Sequence, residues 1–395
     1  MKLIKDVWIV LTDRIIKGSV LFSRKFKDIF LEDGECSIYD GKTINEKYNM
    51  NNIEIIDGCN NYLTPGFIDI HIHGSRGCDT MDSNLESLQR IKKVLPETGV
   101  TSFLATTMSM SKNNIINSLK NIEMIKKQDK INSSNAGARL LGCHLEGPFL
   151  NKEYRGAQSK KHITSYDLKI IDDYKDIIKI VTLAPELKGA EKLIKHLCAN
   201  NIVVSAGHTG ASYEETIKAA KWGLTHITHL FNAMEKFHHR RPGIIGAALT
   251  IDLSIEIIAD FVHLHPATIQ IILKAKELDK IILITDQMRA GMLGEGEYEL
   301  GGQKVIVENG SARLENGQLA GSVLTLDQAI RNIQKIGILS LNEIINMVTR
   351  NPAVLLGVED EIGTIKKGNY ADFVLLDNKF EVIQVFINGE KRKFD

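Results

Sequence analysis

The sequence predicts an α/β protein: a TIM-like (β/α)8 barrel with a small β-sandwich domain built from both ends of the chain. Two observations lead to this prediction. In the middle of the chain, eight short apolar runs rich in β-branched residues alternate with longer polar segments of helical spacing. At both ends, short alternating runs separated by tight turns replace that pattern. Alternating strands and helices are typical of a parallel sheet that closes into a barrel.

The eight predicted barrel strands are short and apolar. They are FIDIHIHG (67–74), GVTSFLATT (99–107), ARLLGCHLE (138–146), IIKIVTLAP (177–185), NIVVSAGH (201–208), LTHITHLF (224–231), SIEIIAD (254–260) and KIILITD (280–286). A doubly wound open sheet is the alternative. The barrel is favoured because polar groups follow the strands all along the series, whereas a doubly wound sheet gathers them at one switch point.

The terminal runs alternate in the manner of antiparallel strands. We therefore expect residues 1–60 and 357–395 to form the small β domain, and residues 61–356 to form the barrel. Within the barrel part, the stretch 291–320 is turn-rich and strand-like, which predicts a β insertion after the eighth strand.

Composition excludes several classes of partner. The 395 residues contain 49 Lys and Arg against 49 Asp and Glu, so net charge gives no reason to expect nucleic acid or a membrane surface. No apolar run approaches the roughly 18 to 20 residues that a spanning helix needs. The five cysteines form no C-x-x-C pair. An odd, unpaired set argues against a disulfide framework and favours the reducing cytoplasm.

Imidazoles and carboxylates follow six of the predicted strands. They are Asp69, His71, His73, His144, Glu146, His208, His226, His229, Asp260, His263 and Asp286. In a barrel these positions meet at one edge, where active sites lie. A buried carboxylate such as Glu146 needs a cationic partner. Neutral imidazole and carboxylate ligands suit Zn²⁺ or Fe²⁺, so the sequence predicts a divalent metal centre at this edge.

Six motifs then identify a family. In order and spacing, HIHG, HLEGPF, GHT, THLFNAM, TDQM and LAGS resemble the N-acetylglucosamine-6-phosphate deacetylases of the amidohydrolase superfamily. The resemblance covers essentially the whole chain. It implies a cytoplasmic hydrolase that releases acetate from a phosphorylated amino sugar.

The resemblance also implies roles for individual residues. Glu146, His208 and His229 match the ligands of a principal metal. His71 and His73 match a pair that helps to hold a second metal in some members, so one or two metals per chain are expected. Asp286 matches the catalytic aspartate, and a carboxylate placed there can take a proton from water and return it to the leaving nitrogen.

For the substrate, the resemblance implies four residues that hold the sugar phosphate: Asn232, Ala233, Arg240 and His263. In the family this arginine reaches across a dimer interface, so Arg240 implies a homodimer. A guanidinium is well suited to phosphate. Arg241 is the neighbouring candidate, and a solvated loop residue is the alternative interpretation for it.

Some positions depart from the family. Gln158 stands where members have a histidine that meets the acetyl carbonyl, and an amide can donate that hydrogen bond without carrying charge. Phe261, Gln287 and Arg289 replace smaller residues, and we expect them near the substrate.

Three other functions stay open. A deacetylase for the galactosamine epimer differs by one or two contacts. Another amidohydrolase would often carry a modified lysine on strand four, where this chain has Thr182, Leu183 and Ala184. A metal-free binding protein would have no use for the metal ligands together with the acid/base residue.

Overall fold

The computed structural model describes residues 1–33, 36–37, 48, 52–131, 137–164 and 167–394. Its strands are β1 (Lys2–Val10), β2 (Ile15–Phe22), β3 (Phe26–Asp33), β4 (Cys36–Ser37), β5 (Glu54–Asp57), β6 (Tyr62–Pro65), β7 (Phe67–Ile72), β8 (Gly74–Ser75), β9 (Cys78–Asp79), β10 (Val100–Thr106), β11 (Arg139–Glu146), β12 (Ile178–Leu183), β13 (Val203–Ala206), β14 (His226–Ile227), β15 (Ser254–Ile258), β16 (Ile281–Ile284), β17 (Gly296–Leu300), β18 (Gln303–Glu308), β19 (Ser311–Leu314), β20 (Phe373–Leu376), β21 (Val382–Ile387) and β22 (Glu390–Lys391).

The α-helices follow the barrel strands and cover them. They are α1 (Leu85–Val94), α2 (Lys112–Ile131), α3 (Leu168–Tyr174), α4 (Ala190–Ala199), α5 (Tyr213–Trp222), α6 (Gly243–Thr250), α7 (Pro266–Ala275), α8 (Leu326–Ile336), α9 (Leu341–Asn346) and α10 (Arg350–Leu356). In α8 the buried residues Leu326, Ala329 and Ile333 recur every three to four positions, which turns one face to the sheet. Most residues of the barrel strands are buried on both faces of the sheet, and many of them are Ile, Val and Leu.

Eight parallel strands form the barrel in the order β16-β15-β14-β13-β12-β11-β10-β7. This order confirms the predicted barrel, and the doubly wound alternative is wrong. The last and first strands meet just beyond β16, where Ile72 pairs with Gln287 in parallel. There the Asp286 N–H also donates to the His71 carbonyl at 2.9 Å. The barrel therefore closes at the edge where the polar side chains were predicted.

Both chain ends build a second sheet of nine strands, in the order β22-β21-β20-β6-β1-β2-β3-β4, with β5 beside β1. Its core is aromatic: the rings of Phe373 and Phe386 stack at 4.4 Å, and the Phe22 ring meets Phe373 edge-on at 5.0 Å. Such pairs contribute about 0.5–1.5 kcal/mol beyond the area they bury. The predicted β domain from the two termini is confirmed, and β6 joins this sheet directly before the barrel begins.

A third sheet of β17, β18 and β19 is antiparallel and lies after the eighth barrel strand. The Gln303 side-chain amide donates to the Ala157 carbonyl at 2.5 Å. The guanidinium of Arg289 donates to the Glu299 carbonyl and to Asp82, each at 2.8 Å. These bonds fix the small sheet against the barrel edge. None of the described helices is long and apolar enough to cross a membrane.

Candidate active site

Six of the predicted side chains converge at the carboxyl edge of the barrel, and all of them are buried. His71 lies on β7 with His73 directly after it, and Glu146 ends β11. His208, His229 and Asp286 each come two residues after the end of a strand. Because the strands run parallel, residues far apart in sequence end at the same place.

One set, the principal group, consists of Glu146, His208 and His229. The Nε2 atoms of both histidines lie 3.1 Å from Glu146 Oε1, and they lie 3.1 Å from each other. Three ligand atoms thus surround one point in space. The spacing is that of side chains arranged around a shared cation.

The other set, the second group, consists of His71, His73 and Asp286. Asp286 Oδ1 lies 3.2 Å from His73 Nε2 and 3.7 Å from His71 Nε2. Glu146 connects the two groups, because its Oε1 lies 3.5 Å from His71 Nε2 and its Oε2 lies 3.5 Å from His73 Nε2. One carboxylate therefore stands between two clusters of ligands.

Partners behind the rings fix which imidazole nitrogen carries the proton. Nδ1 of His208 lies 3.1 Å from the Tyr154 carbonyl, and Nδ1 of His73 lies 3.3 Å from the Thr106 carbonyl. A carbonyl can only accept, so in the neutral ring Nδ1 carries the hydrogen and Nε2 offers a lone pair. These lone pairs all point at the two carboxylates.

The residues fit bound metal ions. His71 Nε2 is buried and has no hydrogen-bond partner in the described structure. The lone pairs of His208 and His229 would repel each other at 3.1 Å unless a proton or a cation lay between them. Divalent cations at the two groups would satisfy every one of these atoms, as imidazole and carboxylate donors require.

A residue that sequence reasoning did not single out, Glu256, supports this centre from behind. Its Oε2 lies 2.9 Å from His71 Nδ1 and accepts the His229 N–H at 3.1 Å, while its Oε1 lies 3.2 Å from His226 Nε2. Burial works to raise the pKa of Glu256, but His71 and His226 outweigh it and hold the pKa well below its usual range. The sequence feature that could have indicated this role is a single glutamate within the mainly apolar run SIEII.

His144 lies beside His71 but is not free to bind a metal. Its Nδ1 lies 3.0 Å from the Ile70 carbonyl and its Nε2 lies 2.7 Å from Thr182 Oγ1. Burial and the neighbouring His71 lower the pKa of His144 to about 3, so the ring is neutral. It therefore supports the site as a buried structural residue.

The backbone is unusual at three of these six residues. His208, His229 and Asp286 have φ values of 49°, 29° and 49°. Positive φ costs a residue with a side chain roughly 1–3 kcal/mol, and such residues concentrate at functional sites. This turn after each strand aims the side chain back over the barrel. The sequence gives no sign of it, because glycine occupies none of the three positions.

A cleft of about 260 Å³ opens above the two groups. Gln158, Asn232, Ala233 and His263 line it, as do backbone and side chains of the 318–321 stretch. Gln158 donates from Nε2 to Glu146 Oε2 at 2.6 Å and accepts the Ser109 N–H at 2.7 Å. His263 Nδ1 lies 2.7 Å from Asp260 Oδ2. The predicted substrate residues other than Arg240 thus share one cavity.

Arg240 lies elsewhere. It is exposed on the loop before α6, which also carries the exposed Phe237, and its Nη1 lies 3.0 Å from His239 Nε2. Among the described residues, the lining of the cleft contains neither lysine nor arginine. The described lining of the cleft thus offers no guanidinium or ammonium group to a phosphate.

Three residues that were expected near the substrate do not line the cleft. Gln287 turns its amide to the Leu324 carbonyl at 2.8 Å, and Arg289 is bound to Asp82. Phe261 packs its ring against the barrel core. None of the three is among the residues that line the cleft. Of the four expected departures, Gln158 alone is among the described residues that line the cavity.

Comparison with known proteins agrees with this geometry. Residues 62–392 match the model of the amidohydrolase family. The N-acetylglucosamine-6-phosphate deacetylase of Bacillus subtilis is 41% identical over 392 residues, which is 98% of this chain and 96% of that protein. The N-acetylgalactosamine-6-phosphate deacetylase of Escherichia coli O157:H7 is 34% identical, over 84% of this chain and 88% of that protein.

Solved structures are similar over the full length. The N-acetylglucosamine-6-phosphate deacetylase of Thermotoga maritima has a TM-score of 0.85 and 34% identity, covering 98% of this chain and 99% of that one. A mutant of the Mycobacterium smegmatis deacetylase in complex with N-acetyl-D-glucosamine-6-phosphate has a TM-score of 0.86 and 26% identity, covering 99% of this chain and 98% of that one.

We predict that cation binding at the second group weakens as pH falls. Burial works to lower the pKa of His71, but Glu256, Glu146 and Asp286 raise it to about 10, so the metal-free ring carries a proton at neutral pH. A cation must displace that proton. Its apparent affinity should therefore drop by about tenfold per pH unit for each proton released.

Equilibrium dialysis at limiting Zn²⁺ between about pH 6 and pH 9, followed by metal analysis, measures this dependence. The surface variant His196→Asn serves as control, because His196 pairs with Asp172 far from the centre. Occupancy that does not change with pH would contradict the assignment.

Proposed function

The chain belongs to the amidohydrolase family, and from this we propose that it is a metal-dependent deacetylase of N-acetyl-D-glucosamine 6-phosphate. The products are D-glucosamine 6-phosphate and acetate. The observation that carries the proposal is the bridging carboxylate Glu146, which joins two sets of metal ligands beneath a cleft that also holds Asp286 and Gln158. Amide hydrolysis needs a nucleophile, a polarised carbonyl and a proton for the leaving nitrogen. Residues of this cleft could hold the cations that activate water and polarise the carbonyl, and Asp286 could transfer the proton.

We assign the principal group to one divalent cation and the second group to another, with Zn²⁺ or Fe²⁺ as the ions that these ligands suit. A bound cation of this kind lowers the pKa of water to about 7 and polarises a carbonyl oxygen. The protein's own part is to hold the ligands in place and to move protons.

Asp286 is our choice for the general base and acid. Burial works to raise its pKa, but His71 and His73 outweigh burial and hold the pKa below its usual range. The carboxylate is therefore ionised at neutral pH and can accept a proton from the attacking water. As the carbon–oxygen bond forms and the carbon–nitrogen bond breaks, it returns that proton to the amino-sugar nitrogen.

Gln158 is placed to meet the acyl carbonyl. Because Ser109 fixes the amide oxygen, the side-chain NH₂ group must face Glu146. An amide nitrogen has two hydrogens, and Glu146 uses one. The other is available to the substrate carbonyl, with no charge and hence no titration of its own.

The need for a cation that binds the substrate phosphate supports the proposal of a homodimer. Since no described cation lines the cleft, we propose that Arg240 of a second copy supplies the missing guanidinium. Arg240 is exposed, and the same loop carries an exposed aromatic residue, Phe237, which suits an interface. Asn232, Ala233 and His263 would complete the sugar-phosphate site from within the chain.

The galactosamine epimer is the second candidate substrate, because a relative named for that activity is also similar over most of its length. We further propose a cytoplasmic location. The described cysteines Cys59, Cys78, Cys143 and Cys198 are all free, which suits a reducing compartment.

Acetate release tests the function directly. The purified protein is offered N-acetylglucosamine 6-phosphate, its galactosamine epimer and unphosphorylated N-acetylglucosamine, with metal analysis of the same sample. We expect the first to react with the highest kcat/KM. A preference for the epimer would replace the substrate but keep the chemistry, and bound metal without any acetate release would overturn the proposal.

Asp286→Asn is predicted to keep metal at the principal group while kcat falls by about 10²–10⁴-fold, because an amide of the same shape cannot carry the proton. Turnover measured together with metal content separates the two effects. Near-normal kcat would mean that another group moves the proton.

Arg240→Ala is predicted to raise KM for the phosphorylated sugar by about 10- to 100-fold, as expected for a lost charged hydrogen bond of about 1.5–3 kcal/mol. Arg241→Ala, a neighbouring exposed cation, is the matched control.

Hybrid dimers test whether Arg240 acts across the interface. A mixture of Arg240→Ala and Asp286→Asn chains should regain activity, because one site of each hybrid then combines an intact Asp286 with the partner's intact arginine. Activity equal to the sum of the separate variants would place Arg240 in its own chain's site.

A further inference from the structure

Glu186 lies outside the cleft but is hydrogen-bonded to two segments around His208, one of the proposed metal ligands. It comes three residues after β12 and is half-buried. Its Oε1 accepts from the Asn151 side-chain amide and from the Gly210 N–H, each at 2.7 Å. Its Oε2 accepts from Thr209 Oγ1 at 2.5 Å.

These three donors lie in two segments that contain or contact His208. Thr209 and Gly210 directly follow it. Asn151 belongs to the segment 151–154, which contacts His208 at two points. The Asn151 N–H donates to the His208 carbonyl at 3.0 Å, and the Tyr154 carbonyl lies 3.1 Å from His208 Nδ1. Glu186 thus ties the segment carrying the histidine to the segment that orients its ring.

The same unit reaches the substrate side of the cleft. The Thr209 N–H donates to the Ala233 carbonyl at 3.2 Å, and the Glu235 N–H donates to the Thr209 carbonyl at 3.0 Å. The Tyr154 hydroxyl donates to Glu235. Gly210 leaves room for the Tyr154 ring, since a Cβ there would lie 2.5 Å from it.

His208 needs such support. Its φ of 49° is disfavoured for any residue with a side chain and persists only where the surroundings impose it. Hydrogen bonds to a carboxylate are about twice as strong as neutral ones. The Glu186 carboxylate accepts three such bonds, from the Asn151 amide, the Thr209 hydroxyl and the Gly210 N–H.

We propose that Glu186 is a positioning residue for the principal group, which holds His208 in its metal-binding conformation through Asn151, Thr209 and Gly210. The inference rests on the proposed function only in taking His208 as a ligand of the principal cation. Its measure is cation affinity, which can be read without substrate.

Two substitutions separate the hydrogen bonds from the charge. Glu186→Gln keeps the pattern, because the amide oxygen can accept from Asn151 and Gly210 while the amide nitrogen donates to the Thr209 hydroxyl. Glu186→Ala removes all three bonds. We expect the alanine variant to bind Zn²⁺ at the principal group about 10- to 100-fold more weakly, and the glutamine variant to bind nearly as the unaltered chain does.

The experiment uses chelator-buffered Zn²⁺ titration of the full chain, with the melting temperature of the metal-free form recorded in parallel. Glu191→Ala is the matched control, since Glu191 is a surface glutamate of the following helix paired with Lys195. Thr209→Val is a second variant that keeps volume but loses one bond to Glu186, and it should weaken Zn²⁺ binding in the same direction.

Unchanged Zn²⁺ affinity in Glu186→Ala would overturn the proposal. So would equal weakening in the alanine and glutamine variants, because charge alone would then be responsible. If Glu186→Ala fails to fold, unchanged affinity in Thr209→Val overturns it instead. Failure of the unaltered chain to release acetate would count against the proposed function and would leave these affinities readable.

Discussion

The burial of one carboxylate dictates much of this structure. Glu146 lies at the end of an apolar strand, where an ionised group without partners would cost several kcal/mol. Imidazoles from three other strands surround it, and the amide of Gln158 takes a remaining lone pair. The outer nitrogens of His71, His73 and His208 have partners behind the rings, namely Glu256, the Thr106 carbonyl and the Tyr154 carbonyl.

The convergence of these residues could be predicted from sequence, because the carboxyl ends of parallel strands must meet once the barrel is recognised. The apolar runs were long enough to place all eight strands, although β14 proves to be only His226–Ile227. The H-x-H pair and Glu146 could be assigned to one edge on this basis alone. Their separation into two groups could not, since it depends on distances across the barrel.

What sequence could not show are contacts made across long separations. Glu256 and His71 are 185 positions apart, and only the closed barrel makes them neighbours. Glu186 resembles any surface glutamate until the loops after β11 and β13 are folded against it. The direction of a side chain near a site is equally hidden, which is why Arg289 and Gln287 were expected at the substrate but face the inserted sheet and the Leu324 carbonyl.

The two candidate metal groups form at different stages of synthesis, because the second group lies at the seam between β7 and β16. Glu146 and His229, which span the principal group, are 83 residues apart, so its ligands exist once the sixth barrel strand has been made. The second group instead unites the first barrel strand with the residues after the last, and Thr285 bonds to His71 across 214 residues. The ribosome must therefore have synthesised the chain at least as far as Asp286 before that group can form. Loop closure over such a distance slows folding, so a cation bound at the second group, as proposed, would report that the ring of strands has closed.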